Sequence, residues 1–377
     1  MNESLHPALL PQGFRDLLSP DAAWEAEVVS RLIAVLSSHG YERVKPPLAE
    51  YEDNLLAGAG AAMAKETFRM MDPISQRMIG LRADMTPQVA RIATTRLAHA
   101  PRPLRLCYAG QVLRVKGGEI RPERQIGQIG AELIGSDEIA ADLEVVSVAA
   151  EALAALNIAG LSVDLTAPTL VPAVCRAFGI DAATVRAPLD HKDAAAAVAL
   201  AGAASPVLGR LLAVAGAARP ALAALQALDL PAEAKAECRR LEAVVTGLER
   251  RGPGLSITID PVENRGFEYH TGISFAFFCR GLGGELGRGG RYRTAEAGEP
   301  ATGFTLYTDT LLQAAPAPAG GKRLFMPAGS DSDVGRRCRS NGWITVAGLS
   351  RVADDVSEAR RLGCTHRFEG DKIVPVV

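Results

Sequence analysis

Two polar side chains share one face of a segment that otherwise has the pattern of a buried strand. Segments 107–114 and 124–132 are extended and largely apolar in pattern, and a turn with Gly, Pro and charged residues joins them. Strand side chains alternate faces, so Gln128 and Glu132 lie on the same face. Such residues are costly to bury without partners, which predicts a polar site there. Their oxygens, with those of Asp84, suit an ammonium group.

Short strands and the start of a helix are predicted to position this site. Segments 66–72 and 77–82 have the pattern of two paired strands around a turn. Thr86 and Pro87 follow, and this pair predicts a helix with Thr86 as its cap and Pro87 at its first position. Asp84 would then lie between the second strand and the helix.

Two further elements are predicted upstream. Ser19-Pro20-Asp21 predicts the start of a helix that ends at Gly40, because apolar residues recur between them at a spacing of three to four. The segment 41–50 contains two consecutive prolines, so it is predicted to be an interrupted or edge strand.

The second half of the chain changes character several times. Segment 182–251 is rich in Ala and Leu and predicts a helical insertion. Segment 281–290 is rich in Gly and predicts a turn. Segment 314–321, rich in Ala, Pro and Gly, predicts a linker between a first domain, 1–315, and a small α/β domain, 322–377.

The composition is that of a globular protein. Hydrophobic residues make up 48% of the 377 residues and charged residues 22%. The 41 basic and 43 acidic residues give a net charge of −2, which argues against a partner that is nucleic acid. The cysteines are scattered without zinc-type spacing, which predicts no metal site and a reducing cytoplasm. No signal peptide and no apolar run of membrane-spanning length are recognised, so no membrane partner is expected.

Four ordered segments resemble one family. They are 11–18 with 40–50, 81–88, the strand pair 107–132, and 264–272 with 289–292. Together they resemble the class II aminoacyl-tRNA synthetases in their histidyl-tRNA synthetase form. The resemblance implies an α+β fold, with a mixed, mostly antiparallel sheet flanked by helices, a helical insertion and a small C-terminal α/β appendage.

The same resemblance implies a histidine-binding site. Its predicted residues are Asp84, Thr86, Arg114, Gln128, Glu132, Arg265, Tyr269 and His270. Arg265 would face the α-carboxylate, and Tyr269 with His270 would hold the imidazole. His270 replaces a tyrosine of the family motif, which leaves its contact with ligand open, and the capping role of Thr86 is an equally good explanation of that residue.

Two departures from the family bear on ATP. The family has Arg-x-Glu where this chain has Arg114-Val115-Lys116, and Thr310 stands in place of an ATP-binding arginine. Losing one preorganised donor at a developing charge commonly costs about 3–4 kcal/mol. Adenylation of histidine is therefore predicted to be lost. The family's anticodon-binding domain is also longer than 322–377.

Segment 81–91 is most similar to a second group with this fold, the regulatory subunits of short-form ATP phosphoribosyltransferase. The resemblance implies a subunit without catalysis or cofactor of its own, which joins a catalytic chain, responds to histidine as effector and self-dimerises within a hetero-oligomer. Three alternatives stay open. They are a ligase that activates free histidine, a nucleic-acid-binding module, and an internal network of Arg114, Gln128 and Glu132 without a ligand.

Overall fold

The computed structural model describes residues 8–118, 122–191, 193–251, 254–263, 270–295, 297–317 and 320–376. The chain divides into two compact units, Met1–Pro316 and Ala317–Val377. No helix in these described ranges is both long and apolar enough to cross a bilayer.

The strands are numbered here in chain order. They are β1 Glu42–Arg43, β2 Ala49–Tyr51, β3 Phe68–Met71, β4 Met78–Leu81, β5 Leu104–Leu113, β6 Gln125–Ile134, β7 Leu161–Thr166, β8 Gly216–Ala217, β9 Ser256–Ile259, β10 Ser274–Cys279, β11 Gly287–Arg293, β12 Pro300–Tyr307, β13 Arg323–Met326, β14 Ile344–Ala347, β15 His366–Glu369 and β16 Lys372–Pro375.

The α-helices are numbered in the same way. They are α1 Asp21–Ser38, α2 Glu52–Leu55, α3 Thr86–Thr94, α4 Ile139–Ala154, α5 Leu170–Ala177, α6 Ala182–Asp190, α7 Ala194–Leu200, α8 Ser205–Leu212, α9 Ala218–Gln226, α10 Ala232–Arg251, α11 Thr308–Ala314, α12 Ser332–Ser340 and α13 Asp355–Arg361.

A nine-stranded sheet forms the first unit, in the order β1-β5-β6-β12-β11-β10-β7-β9-β8. Only β1 with β5 and β7 with β9 run parallel in this sheet, as far as the described strands go. The predicted mixed, mostly antiparallel sheet is confirmed. A smaller antiparallel sheet of β2, β4 and β3 carries the predicted strand pair around 66–82.

Helix α1 has the predicted bounds because its apolar residues form one stripe. Trp24, Val28, Leu32 and Leu36 follow at intervals of four and are all buried. Gly40 ends the helix with φ +79°, a conformation in which glycine is least strained. The helix packs with α4 on one face of the large sheet, in a single apolar cluster.

The side chains of β6 alternate between the two faces of the sheet. Ile129, Ala131 and Leu133 lie in the apolar cluster beneath α1 and α4. Gln128 and Glu132 lie on the opposite face, as the period of two predicts, and each is 1% exposed. A second cluster with Met85, Val89 and Tyr108 covers that face beside α3.

Segment 182–251 is helical, as predicted, with α6 to α10 and the two-residue strand β8. In the second unit, β13 lies between β14 and β15, and β16 pairs with β15. This unit alternates strands with α12 and α13, again as predicted.

The predicted Gly-rich turn at 281–290 is wrong in its second half. Gly287–Arg293 forms β11, which pairs with β10 and β12. The glycines are needed in a strand because neighbouring atoms occupy the space of a side chain. A Cβ on Gly289 would overlap the carbonyl oxygen of Gly303 in β12.

Candidate functional site

A pocket opens on the polar face of the large sheet. Its floor is formed by β6, β11 and β12, and the turn between β4 and α3 forms one wall. The lining residues that carry polar groups include Asp84, Thr86, Glu132, His270, Arg288 and Tyr292.

Glu132 is buried at the centre of this floor. Its carboxyl group accepts hydrogen bonds from the hydroxyls of Thr86 and Tyr108, each at 3.2 Å, and of Tyr292 at 3.0 Å. None of the described basic residues forms an ion pair with it. Burial and, to a smaller extent, the negative charge of Asp84 raise the pKa of Glu132 to about 8, against the lowering effect of its hydrogen bonds. Glu132 is therefore mostly protonated at neutral pH.

Asp84 is fixed at the pocket edge by Gln128. The Nε2 of Gln128 donates to Oδ2 of Asp84 at 2.9 Å, and its Oε1 accepts from the backbone N–H of Met85 at 3.0 Å. The backbone N–H of Thr86 donates to Oδ1 of Asp84 at 2.8 Å. Gln128 thus ties β6 to the turn in which Asp84 lies, although it does not itself line the pocket.

The prediction that Thr86 caps α3 is wrong. The helix begins at Thr86, and no side chain caps it from the preceding residue, Met85. The Thr86 hydroxyl instead lies within hydrogen-bonding distance of Tyr108 and Glu132. The hydroxyl thus belongs to the site, while the backbone N–H of Thr86 donates to Asp84.

His270 lies on the far side of the pocket, in front of β11. Desolvation by its surroundings, with a smaller effect of the positive charge of Arg288, lowers its pKa to about 3. The imidazole is therefore neutral at neutral pH. Its two nitrogens then offer one donor and one acceptor.

Three further residues were predicted to bind histidine. Arg114 follows the last residue of β5, and its Nε lies 3.4 Å from Oε2 of Glu66. It is not among the residues that line the pocket. Arg265 and Tyr269 lie outside the described residues.

Two tyrosines in the site were not predicted. Tyr108 is fully buried in β5 and its hydroxyl also lies 2.8 Å from that of Thr305 in β12. Tyr292 is 2% exposed in β11. In a sequence, a tyrosine within a strand has the pattern of a core residue. A core tyrosine and a tyrosine of a polar site differ only in the partner of the hydroxyl, and that partner is distant in sequence.

The position that would hold the ATP-binding arginine is buried. Thr310 is 6% exposed in α11, and its hydroxyl donates to the backbone carbonyl of Tyr307 at 3.2 Å. Lys116, which takes the place of the family's glutamate, is exposed. Within the described ranges there is no group of three or more His, Cys, Asp or Glu that could hold a metal ion.

The chain is similar to known proteins over most of its length. Residues 13–311 match the family model described as histidyl-tRNA synthetase. The ATP phosphoribosyltransferase regulatory subunit of Paramagnetospirillum magneticum is 58% identical over 100% of both chains. That of Rhodospirillum centenum is 58% identical over 97% of this chain and 96% of its own.

A solved structure has the same fold. It is an ATP phosphoribosyltransferase regulatory subunit/histidyl-tRNA synthetase from Bacillus halodurans, with a TM-score of 0.81. The two sequences are 23% identical, and the match covers 93% of this chain and 96% of the other. The class II synthetase-like fold is confirmed.

Proposed function

This chain belongs to the histidyl-tRNA synthetase family and, within it, to the ATP phosphoribosyltransferase regulatory subunits, and we propose that it is the histidine-sensing partner of a separate catalytic chain. It is a regulatory subunit of the histidine-biosynthetic phosphoribosyltransferase and not an enzyme on its own. The observation that carries the proposal is full-length similarity to subunits of that name.

The pocket supports histidine as the effector. Asp84 and Glu132 supply acceptors for a cationic group, and the hydroxyls of Thr86 and Tyr292 hold Glu132 in place. Neutral His270 suits the imidazole ring, because each ring presents one donor and one acceptor. Arg265 for the α-carboxylate, Tyr269 for the ring, and Arg114 remain part of the proposed site.

Gln128 has a different part in this proposal. Both polar atoms of its amide are used within the protein, on Asp84 and on the backbone of Met85. We therefore assign it to the orientation of Asp84, which is the group that meets the ligand.

Assembly completes the proposed function. The chain would dimerise with itself, join a short-form catalytic chain in the cytoplasm, and act without a cofactor or nucleic acid of its own. Size-exclusion chromatography with light scattering, on this chain alone and with the catalytic chain, measures both associations.

Reconstitution of the phosphoribosyltransferase tests the proposal. The catalytic chain of the same organism should co-purify with this chain, react faster in the complex, and be inhibited by histidine. In Asp84→Asn the activation should persist while inhibition needs at least about tenfold more histidine, since a hydrogen bond to a charged group is worth about 1.5–3 kcal/mol. Gln125→Ala, on the exposed first residue of β6, is the matched control. Absence of both co-purification and activation would overturn the proposal.

A further inference from the structure

Two glycines lie in a row with Glu132 on the next two strands of the sheet. Glu132 in β6 pairs with Gly303 in β12, and Gly303 pairs with Gly290 in β11. Residues directly opposite each other project to the same face, so all three positions belong to the pocket face. A glycine inside a strand weakens it and marks a place where another group comes close.

The groups that come close are side chains of the pocket. A Cβ on Gly303 would overlap Oε2 of Glu132. A Cβ on Gly290 would lie 2.9 Å from Nε2 of His270 and 2.8 Å from Cβ of Ser274. Carbon atoms of real side chains essentially never lie this close to such neighbours, so either Cβ would displace them.

These two positions differ from other glycines of the same sheet. On Gly289 the nearest obstacle to a Cβ is a backbone carbonyl, which explains that glycine by strand pairing alone. On Gly303 the two nearest obstacles are the carboxylate atoms of Glu132, and the backbone carbonyl oxygen of Ala131 follows at 2.7 Å. The absent side chain at 303 therefore serves the position of Glu132 more than the pairing of the strands.

We propose that Gly303 and Gly290 are positioning residues of the effector site, whose missing side chains let Glu132 and His270 lie flat against the sheet where the ligand meets them. The inference rests on the proposed function in taking histidine as the ligand. It predicts that enlarging residue 303 and shortening residue 132 have non-additive effects on histidine binding.

A double-mutant cycle tests this coupling by isothermal titration of histidine into the full-length chain. Gly303→Ala should weaken binding by about 10- to 100-fold, because the carboxylate loses its hydrogen-bonding place. Glu132→Asp should weaken it too, but the double variant Gly303→Ala with Glu132→Asp should lose less than the sum of the two single losses. The shorter side chain removes the overlap with the carboxylate, while the contact with the carbonyl oxygen of Ala131 is left. Gly283→Ala is the control, because nothing lies within 4 Å of a Cβ there. Additive losses, or wild-type affinity in Gly303→Ala, would overturn the inference.

The role of Gly290 is tested by a second double-mutant cycle, in which His270 is the other residue. Gly290→Ala should weaken histidine binding more in the wild type than in His270→Ala, where Cβ of Ser274 still lies close to the new methyl group. An equal loss in both backgrounds would overturn the role assigned to Gly290.

A measurement without ligand separates this inference from the proposed function. Displacing Glu132 toward the pocket opening should reduce the burial that raises its pKa, and so flatten the dependence of stability on pH between about 6.5 and 8 in Gly303→Ala. A glycine needed only for folding would lower stability equally at both pH values, and that result would overturn the inference. Failure of the wild-type chain to bind histidine would instead overturn the effector site, and this pH comparison would still decide the role of Gly303.

Discussion

The side chain of Gln128 in β6 donates from Nε2 to Oδ2 of Asp84 at 2.9 Å, across the gap between the large sheet and the turn before α3. The same amide accepts the backbone N–H of Met85 at 3.0 Å. One buried residue thus holds both the carboxylate that faces the pocket and the backbone beside it. Its loss should affect stability and ligand binding together.

Gln128→Leu is expected to destabilise the chain and weaken histidine binding. The substitution leaves the buried N–H of Met85 without its acceptor, which costs about 1–3 kcal/mol. It also frees Asp84 to rotate. Urea denaturation and isothermal titration measure the two effects. Gln125→Ala in the same strand is exposed and should change neither, and unchanged histidine affinity in Gln128→Leu would contradict the orienting role of Gln128.

The stability of the chain should fall as pH rises from about 6.5 to about 8, through Glu132; below about 6.5 the lowered pKa of His270 gives a slope of the opposite sign. The pKa of Glu132 rises from 4.5 to about 8 on folding, so in this range the folded state holds a proton that the unfolded state has lost. The contribution is complete below the unfolded pKa and disappears as pH passes the folded pKa. Each pKa unit is worth about 1.4 kcal/mol, so the effect amounts to a few kcal/mol.

Two variants check that pH dependence by urea denaturation at several pH values. Glu132→Gln should remove the fall in stability between about pH 6.5 and 8. Glu144→Gln should preserve it, because hydrogen bonds from Arg105 lower the pKa of Glu144 and its contribution is lost only on acidification. A slope that persists in Glu132→Gln would assign the effect to another group.

Much of the fold follows from local pattern, and the exceptions have a common cause. The period of two placed Gln128 and Glu132 on one face, and the apolar stripe with Gly40 bounded α1. Tyr108, Tyr292 and the strand at Gly287–Arg293 were not predicted in their roles. Each depends on partners that are distant in sequence, and a sequence pattern reports only near neighbours.

Histidine binding should release a proton near pH 7. Glu132 is mostly protonated there, whereas the acceptor of a cationic group must be ionised. Affinity should therefore rise with pH up to about 8. Titration calorimetry in buffers with different ionisation enthalpies counts the proton, and Gly283→Ala should release the same number. Binding without proton release would show that Glu132 meets the ligand in its protonated form.

The chain should not activate histidine with ATP, and restoring the family's arginine should not make it do so. Thr310 is buried, with its hydroxyl on the carbonyl of Tyr307. In Thr310→Arg a guanidinium without a partner would enter this space, at a cost of about 3 kcal/mol or more. Gln313→Arg, on the exposed side of α11, is the matched control and should keep wild-type stability.

Histidine-dependent exchange of pyrophosphate into ATP measures activation, with a histidyl-tRNA synthetase as positive control. Exchange by the wild-type chain above background would contradict the loss of the ATP site, and exchange gained in Thr310→Arg would mean that one side chain separates the regulatory subunit from a working ligase.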